Sequence, residues 1–265
     1  QLNRLRELFD DPLLIPARRG MTPTVKALEL IGPLRESLDQ IRSTLQSHKD
    51  FKPERGILTI NIACTDYIQA TVVIPLVLAL RTKAPAVRIA VHHYNPAHLE
   101  RELASGKIDM AIVSKGTHVA NLRMHRLFNE TYGLIARQKH SFFQKELSME
   151  KFVEFEHVIV SPSGGLFATP IDDVLKSFGL KRKVVMSAAS FLFVPQIISA
   201  SDLLALVPWR LAQGLSDEYS KAQLPWLKES FDVSLIWHER SQGHAGQKWV
   251  RDLIVELNGE RETER

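Results

Sequence analysis

The chain has 265 residues, of which 45% are hydrophobic and 24% are charged, a composition typical of a globular protein with two or three compact units. No apolar run reaches the roughly 18–20 residues that a bilayer span needs, and the first eleven residues are too polar for a signal peptide. The single cysteine, Cys64, excludes an internal disulfide and fits a reducing cytoplasm, while the net charge of +4 permits nucleic-acid binding without requiring it.

The chain opens with the predicted end of a helix at residues 1–9, whose leucines share one face and which an Asp-Asp-Pro sequence terminates. A second feature, Arg18-Arg19 followed by glycine, is typical of a tight basic turn between two elements. Such a turn can contact DNA phosphates or enter a minor groove. The residues alone leave open that it is only a solvated turn.

A long helix with a heptad seam is predicted next, over residues 22–47, with Thr22 as its cap and Pro23 at its first position. Apolar residues along it alternate in steps of three and four, which two helices need in order to supercoil around each other. A helix that only lay on its own domain would usually show a broader apolar face. We therefore predict dimerisation through the seam, which consists of Ile31, Leu34, Leu38, Ile41 and Leu45.

An α/β module is predicted beyond a charged hinge at residues 49–56. Strands and helices alternate over residues 57–113, the pattern of parallel strands joined by helical crossovers. The predicted elements are a strand at 58–64, a helix from Thr65-Asp66 to Lys83, a strand at 87–93, a helix from Asn95-Pro96 to Gly106 and a strand at 110–113.

A second set of alternating elements indicates a second α/β lobe. The predicted strands lie at 157–160, 183–186, 203–207 and 233–237, and the predicted helices at 170–178, 191–200 and 247–257. The strand at 132–136 would cross from one lobe to the other, and the chain would return near 232–237. Two lobes joined in this way predict a cleft between them.

Ligands of open α/β sheets bind at the carboxyl ends of strands. That rule selects Thr65, Asp66, Tyr67, Ser114 and Lys115 in the first lobe, and Phe167, Ala168, Thr169, Ser190, Phe191 and Pro208 in the second. Helix N-termini at these strand ends present free N–H groups and a partial positive charge, which suit a carboxylate or phosphate, and the phenylalanines could supply an apolar wall, so we predict a small anionic or aromatic effector. The alternative stays open that Thr65 and Ser190 are only helix caps and that the phenylalanines are only core.

Enzyme signatures are weak. The sequence contains no HExxH, P-loop or GxSxG motif. The one adjacent histidine pair, His92-His93, would face opposite sides of a strand and could not easily bind one metal. We therefore predict no catalytic residue, no metal and no cofactor.

Several segments together resemble the LysR-type bacterial transcriptional regulators, in particular a subgroup concerned with nodulation and aromatic degradation. They are RLRELFDDPLL, RRGMTPT, the heptad helix, LTINIACTDY, LASGKIDMAIV and LIWHERSQGHAGQKWVRDLI. The resemblance implies that residues 1–21 are the remnant of a winged helix-turn-helix domain without its first helices. It further implies a dimerising linker helix at 22–48, a hinge at 49–56 and an effector-binding domain at 57–258.

The resemblance implies a two-lobed, periplasmic-binding-protein-like fold for the effector domain, with lobe I at 57–131 and 233–258 and lobe II at 132–232. DNA contacts would come from Arg4, Arg6, Arg18 and Arg19, and Leu192, Val194, His238 and Arg240 would join the effector site. The implied partners are operator DNA, bound by the full-length protein, a small effector, and further copies in a homodimer and homotetramer. Two alternatives remain: a solute-binding module without a DNA role, and an enzyme acting in the cleft.

Overall fold

The structure is a computed structural model that describes residues 1–17, 20–49, 51–114, 121–144, 146–161 and 164–259, with side chains left aside for 39–49. The chain divides into two compact units, Gln1–Lys52 and Pro53–Arg265. Across the described segments, none of the helices combines the length and apolar character that crossing a bilayer requires.

The first unit contains two helices and a small hairpin: α1 (Leu2–Phe9), β1 (Leu14–Pro16), β2 (Met21–Pro23) and α2 (Val25–Lys49). The strands pair antiparallel, and Gly20 adopts a positive φ of 87° in the turn between them. The predicted cap at Thr22 is wrong, because Thr22 pairs within this hairpin. Thr24 caps α2 instead: its hydroxyl accepts a hydrogen bond from the Ala27 N–H at 3.1 Å.

The second unit is built on a nine-stranded sheet. The strands are β3 (Leu58–Cys64), β4 (Val87–His93), β5 (Met110–Val113), β6 (Leu122–Arg137), β7 (Glu156–Val160), β8 (Lys183–Ala188), β9 (Leu204–Pro208), β10 (Tyr219–Ala222) and β11 (Ser230–His238). Non-consecutive strands lie side by side, in the order β4-β3-β5-β11-β6-β9-β7-β8, with β10 also paired to β6. We call the β4-β3-β5-β11 half lobe I and the half with β7 to β10 lobe II.

Helices cover both halves of the sheet. In lobe I they are α3 (Asp66–Ile68), α4 (Ile74–Lys83), α5 (Leu99–Ser105) and α10 (Ala245–Asn258), with a π-helical segment at Gln69–Val73 joining α3 to α4. In lobe II they are α6 (Met149–Val153), α7 (Pro170–Ser177), α8 (Val194–Ser199) and α9 (Trp209–Gln213). Short 3₁₀ turns lie at Ser141–Gln144 and Glu239–Ser241.

Strands β6 and β11 carry the chain between the lobes. The long strand β6 pairs with β11 over residues 122–131 and with β9 and β10 over residues 132–137. The predicted crossover at 132–136 is therefore only the carboxyl half of a longer strand. The parallel pairing of β3 with β4 and β5, and of β7 with β8 and β9, agrees with the predicted doubly wound plan.

Two helices begin later than the sequence predicts. The helix expected from Asn95-Pro96 starts at Leu99, because the Asn95 side chain accepts a hydrogen bond from the Ala97 N–H and holds a turn there. The helix expected from Phe191 starts at Val194, so residues 190–193 form a turn that faces the other lobe.

Candidate functional site

A cavity of about 490 Å³ lies between the two lobes, at the carboxyl ends of strands from both. Its wall combines side-chain hydroxyls with aromatic and aliphatic surface, the composition typical of sites for small organic ligands. Its lining residues are Thr65, Tyr67, Ser114, Tyr132, Ile159, Val160, Thr169, Pro170, Ile171, Arg182, Phe191, Leu206, Pro208 and Phe231.

The lobe I side of the cavity is formed where β3 ends and α3 begins. Thr65 has extended backbone there, and no side-chain capping bond holds it to the helix. The buried Tyr67 hydroxyl donates a hydrogen bond to the equally buried Glu130 on β6. Burial, the bond to Glu130 and its negative charge together raise the pKa of Tyr67 well above the usual range, so the phenol stays protonated.

The lobe II side is organised around a buried ion pair. The Arg182 side chain is 1% exposed, and its Nε and one terminal nitrogen each donate to the Asp172 carboxylate at 2.8 Å. The same nitrogen donates to the Thr169 hydroxyl at 2.9 Å, and the Thr169 N–H donates to Asp172. Burial opposes ionisation of Asp172, but these bonds outweigh it and lower its pKa. The pair thereby fixes Thr169 and neutralises the arginine charge beside the cavity.

Aromatic rings close the cavity on both sides. Phe191 meets Tyr67 edge-to-face across the cleft, with ring centroids 6.1 Å apart, and Tyr132 tilts against Phe231 at 5.3 Å on the crossover strands. Burial, followed by the charges of Glu130 and Glu229, raises the pKa of Tyr132. Edge-to-face and tilted ring pairs prefer such separations, so the two pairs give the cavity apolar walls.

A polar contact spans the cleft beside these rings. One Asp66 carboxylate oxygen accepts a hydrogen bond from the Ser190 hydroxyl at 2.6 Å and another from the Leu192 N–H at 3.1 Å. The other Asp66 oxygen accepts from the Tyr67 N–H at 2.8 Å. Asp66 therefore ties the end of β3 in lobe I to the turn before α8 in lobe II.

Six residues predicted as effector contacts line the cavity: Thr65, Tyr67, Ser114, Thr169, Phe191 and Pro208. Asp66, Ser190 and Leu192 lie beside it in the cross-cleft contact, and Val194 is buried at the start of α8. Phe167 and Ala168 line a separate cavity along α7, and Lys115 falls outside the described residues.

The structure does not bring His238 and Arg240 to the cavity. One Arg240 terminal nitrogen donates to the carbonyl oxygen of Ala104 at 2.7 Å, at the end of α5. Its guanidinium covers Gly106, where a Cβ would lie only 2.6 Å from it and where φ is +79°. His238 accepts a hydrogen bond from the Arg240 N–H. These two residues hold the end of a helix.

Eight cavity residues were not selected from the sequence: Tyr132, Ile159, Val160, Pro170, Ile171, Arg182, Leu206 and Phe231. Ile159, Val160 and Leu206 lie in strands whose ends were recognised, so extending the rule by two residues would have found them. Arg182 precedes β8 and reaches the cavity only through its pairing with Asp172, for which no sequence signal exists.

The residues predicted to act in the first unit differ in their surroundings. Arg4 is exposed, whereas Arg6 donates to the carbonyl oxygens of Pro12 at 2.8 Å and Leu14 at 3.5 Å and so joins α1 to the hairpin. Arg18 and Arg19 fall outside the described residues. Of the predicted seam, Ile31, Leu34 and Leu38 are exposed on α2, and the side chains of Ile41 and Leu45 lie outside the description.

Two α/β lobes joined by crossover strands around a cavity define a ligand-binding domain of the periplasmic-binding-protein type. The protein-family model of the LysR substrate binding domain matches residues 54–258. The chain therefore belongs to the LysR family of transcriptional regulators.

The chain is similar to transcriptional regulators over most of its own length and most of theirs. The HTH-type transcriptional activator NagR of a Ralstonia species is 30% identical, over 98% of this chain and 86% of its own length. The activator NahR of Pseudomonas putida is 27% identical, over 97% of this chain and 86% of its own length.

Solved structures agree with this fold. A probable transcriptional regulator from Pseudomonas aeruginosa superposes with a TM-score of 0.69 at 25% identity, covering 97% of this chain and 84% of its own. Full-length CbnR complexed with its target DNA superposes with a TM-score of 0.70 at 16% identity, over 97% of this chain and 87% of its own, a likeness of fold alone.

Proposed function

We infer that this protein is a DNA-binding transcriptional regulator whose two-lobed domain senses a small anionic or aromatic effector in the cavity between its lobes. The observation that carries this inference is the hydroxyl-lined, aromatic-walled cavity at the junction of the lobes, in a chain of the LysR family. An effector shifts such a molecule between two arrangements only if it binds one of them more tightly.

The DNA-binding half of the inference rests on the first unit and on the relatives. NagR and NahR are named transcriptional activators, and CbnR was solved with its target DNA. The exposed apolar residues of α2 suit a helix that pairs with a second copy, giving the homodimer and, through a second interface, the homotetramer. If the chain were a solute-binding module with no DNA role, the first unit would have no function.

The effector half rests on the chemistry of the cavity. Thr65 and Ser114 can donate hydrogen bonds to a carboxylate or phenolate, and Phe191 and Phe231 can contact a ring. The arginine at the wall is matched by Asp172, so hydroxyl groups and shape select the ligand there. We assign no catalytic step and no cofactor to this site, and a regulator of this kind works in the cytoplasm.

Binding of the complete protein to its own upstream DNA tests the regulatory function. In fluorescence anisotropy we expect affinity that falls steeply with salt, because cationic contacts release counterions from the phosphates. Affinity for this DNA no greater than for a scrambled duplex would favour the solute-binding alternative. Conversion of a bound ligand over several hours, followed by mass spectrometry, would support the enzyme alternative instead.

The cavity assignment is tested at Thr65. Thr65→Phe would fill the space between the lobes, so we expect the DNA complex to lose its response to effector while its affinity for DNA remains. Thr65→Ser keeps the hydroxyl and serves as the matched control, with its response retained. An unchanged effector titration in Thr65→Phe would place the effector elsewhere.

A further inference from the structure

The cross-cleft contact of Asp66 is the feature that the proposed function leaves unexplained. Asp66 follows β3 at the start of α3, where a short polar side chain commonly accepts the next N–H groups of its own helix. Only one of its oxygens does so, by accepting from Tyr67. The other turns away from its own lobe and accepts two hydrogen bonds from the Ser190 hydroxyl and the Leu192 N–H.

The two donors in lobe II therefore already hold a carboxylate. A hydroxyl at 2.6 Å and a backbone N–H at 3.1 Å converge on one carboxylate oxygen, the geometry of charge-assisted hydrogen bonds. Residue 191 lies between these donors and contributes its ring to the cavity wall. A carboxylate on Ser190 and Leu192 thus lies next to the apolar wall that Phe191 and Tyr67 give the cavity.

We propose that Ser190 and the Leu192 N–H form the carboxylate subsite of the effector cavity and that Asp66 occupies it until an effector carboxylate displaces it. This proposal rests on the proposed function and extends it, because it names a carboxylate as the effector group and Asp66 as an internal competitor. A ligand with a ring against this wall and a carboxylate on the two donors breaks the tie between the lobes as it binds.

The accessibility of the contact fits an exchange of partners. Asp66 and Ser190 are half-buried and Leu192 is exposed, so water and ligand reach the hydrogen bonds without unfolding of either lobe. Two carboxylates cannot share the same donors without repulsion, so the effector and Asp66 exclude each other. The competition sets the effector concentration at which the regulator responds.

The contact itself is tested without any ligand through hydrogen exchange of the Leu192 amide. In the complete protein we expect Asp66→Ala to accelerate exchange at Leu192 by about tenfold, because the hydrogen bond to a charged acceptor is lost. Exchange at Leu192 that stays unchanged would show that the bond does not form in solution, and would overturn the proposal.

Competition is tested by calorimetric titration with benzoate, which carries a ring and a carboxylate, and with its neutral isostere benzamide. We expect Asp66→Asn to bind benzoate about tenfold more tightly than the wild type does, with little change for benzamide. In the Asp66→Asn background, Ser190→Ala removes a donor that now serves benzoate, so the double variant should bind benzoate more weakly than Asp66→Asn does. Asp252→Asn, an exposed carboxylate on α10, changes the net charge equally and should leave benzoate affinity unchanged.

The remaining outcomes overturn the proposal in distinguishable ways. Weaker benzoate binding in Asp66→Asn would make Asp66 a ligand contact, and equal binding would make it a structural tie; the proposed function survives both results. Benzoate binding by neither protein would remove the carboxylate subsite, and salt-dependent DNA binding would then decide the proposed function independently.

Discussion

The two long helices near the ends of the chain show how differently its two units use apolar surface. Helix α10 buries Val250, Leu253 and Ile254 against lobe I. Helix α2 is almost twice as long, yet every described apolar side chain on it stays at least partly exposed, with Val25, Leu28, Ile31, Leu34 and Leu38 each 45% exposed or more.

The same contrast holds for the units as wholes. Among the described side chains of Gln1–Lys52, the hydrophobic core contains Leu13 alone, whereas the second unit buries apolar side chains throughout both lobes. Scattered exposed leucines are ordinary, but a row of them along one helix marks a surface that another molecule covers. The second unit has a hydrophobic core of its own, whereas the exposed row on α2 supports the proposal that this helix pairs with a second copy.

The largest effect that tests this contrast is expected from Leu34→Asp combined with Leu38→Asp. An unpaired charge buried in a helix pair costs about 3–5 kcal/mol, so the dissociation constant of the dimer should rise at least about a hundredfold. Sedimentation velocity at low concentration measures the change. Ser37→Asp, one residue off the seam, is the control and should leave the dimer intact. A dimer undisturbed by the double variant would contradict the assignment of α2.

A smaller effect, confined to the second unit, is expected from pH. His157 is fully buried in lobe II, where its Nε2 donates to the carbonyl oxygen of Phe152, and burial lowers its pKa from 6.5 to about 4. Between pH 6.5 and pH 4, the unfolded chain therefore binds a proton at His157 that the native state does not bind. The native stability linked to His157 is fully present above pH 6.5 and is lost as the pH falls to 4.

Urea unfolding at pH 7 and pH 5 measures this linkage. Between these values the wild type should lose about 2 kcal/mol more stability than His157→Gln, which keeps a donor for the Phe152 carbonyl but does not titrate. His93→Gln, at an exposed position on β4, should lose as much as the wild type. Equal losses in the wild type and His157→Gln would show that the pKa of His157 is the same in the native and unfolded states.

The sequence predicted those parts of the fold that local patterns determine. The alternation of β3 and the apolar run of β5 are set by residues within each strand, and the strand-end rule then selected Thr65, Ser114 and Thr169, which line the cavity. The rule works because a doubly wound sheet collects its strand ends at one edge.

The parts that were missed depend on residues far apart in the chain. The first half of β6 is rich in charge and was not recognised as a strand, since Arg123 and Arg126 find their partners, Glu239 and Asp232, more than 100 residues later. Arg182 was missed for the same reason, because its burial depends on Asp172 and the cap of α7. The Asp66 contact likewise joins two lobes whose approach no local pattern encodes.

The smallest effect is expected at the start of α2 and tests whether the two units are energetically separate. The Thr24 hydroxyl accepts from the Ala27 N–H and donates to Asp11 at 2.7 Å, and this hydrogen bond, followed by one from the Leu13 N–H, lowers the pKa of Asp11. Losing a helix cap costs about 1 kcal/mol, so Thr24→Ala should accelerate amide exchange at Ala27 about fivefold, while Thr24→Ser should not. Exchange in the cores of both lobes should stay at its wild-type rate, because none of the hydrogen bonds of Thr24 reaches beyond the first unit. Faster exchange in β5 or β9 of the same variant would show that the units unfold together, and the contrast between a unit with its own core and a unit with exposed apolar surface would then fail.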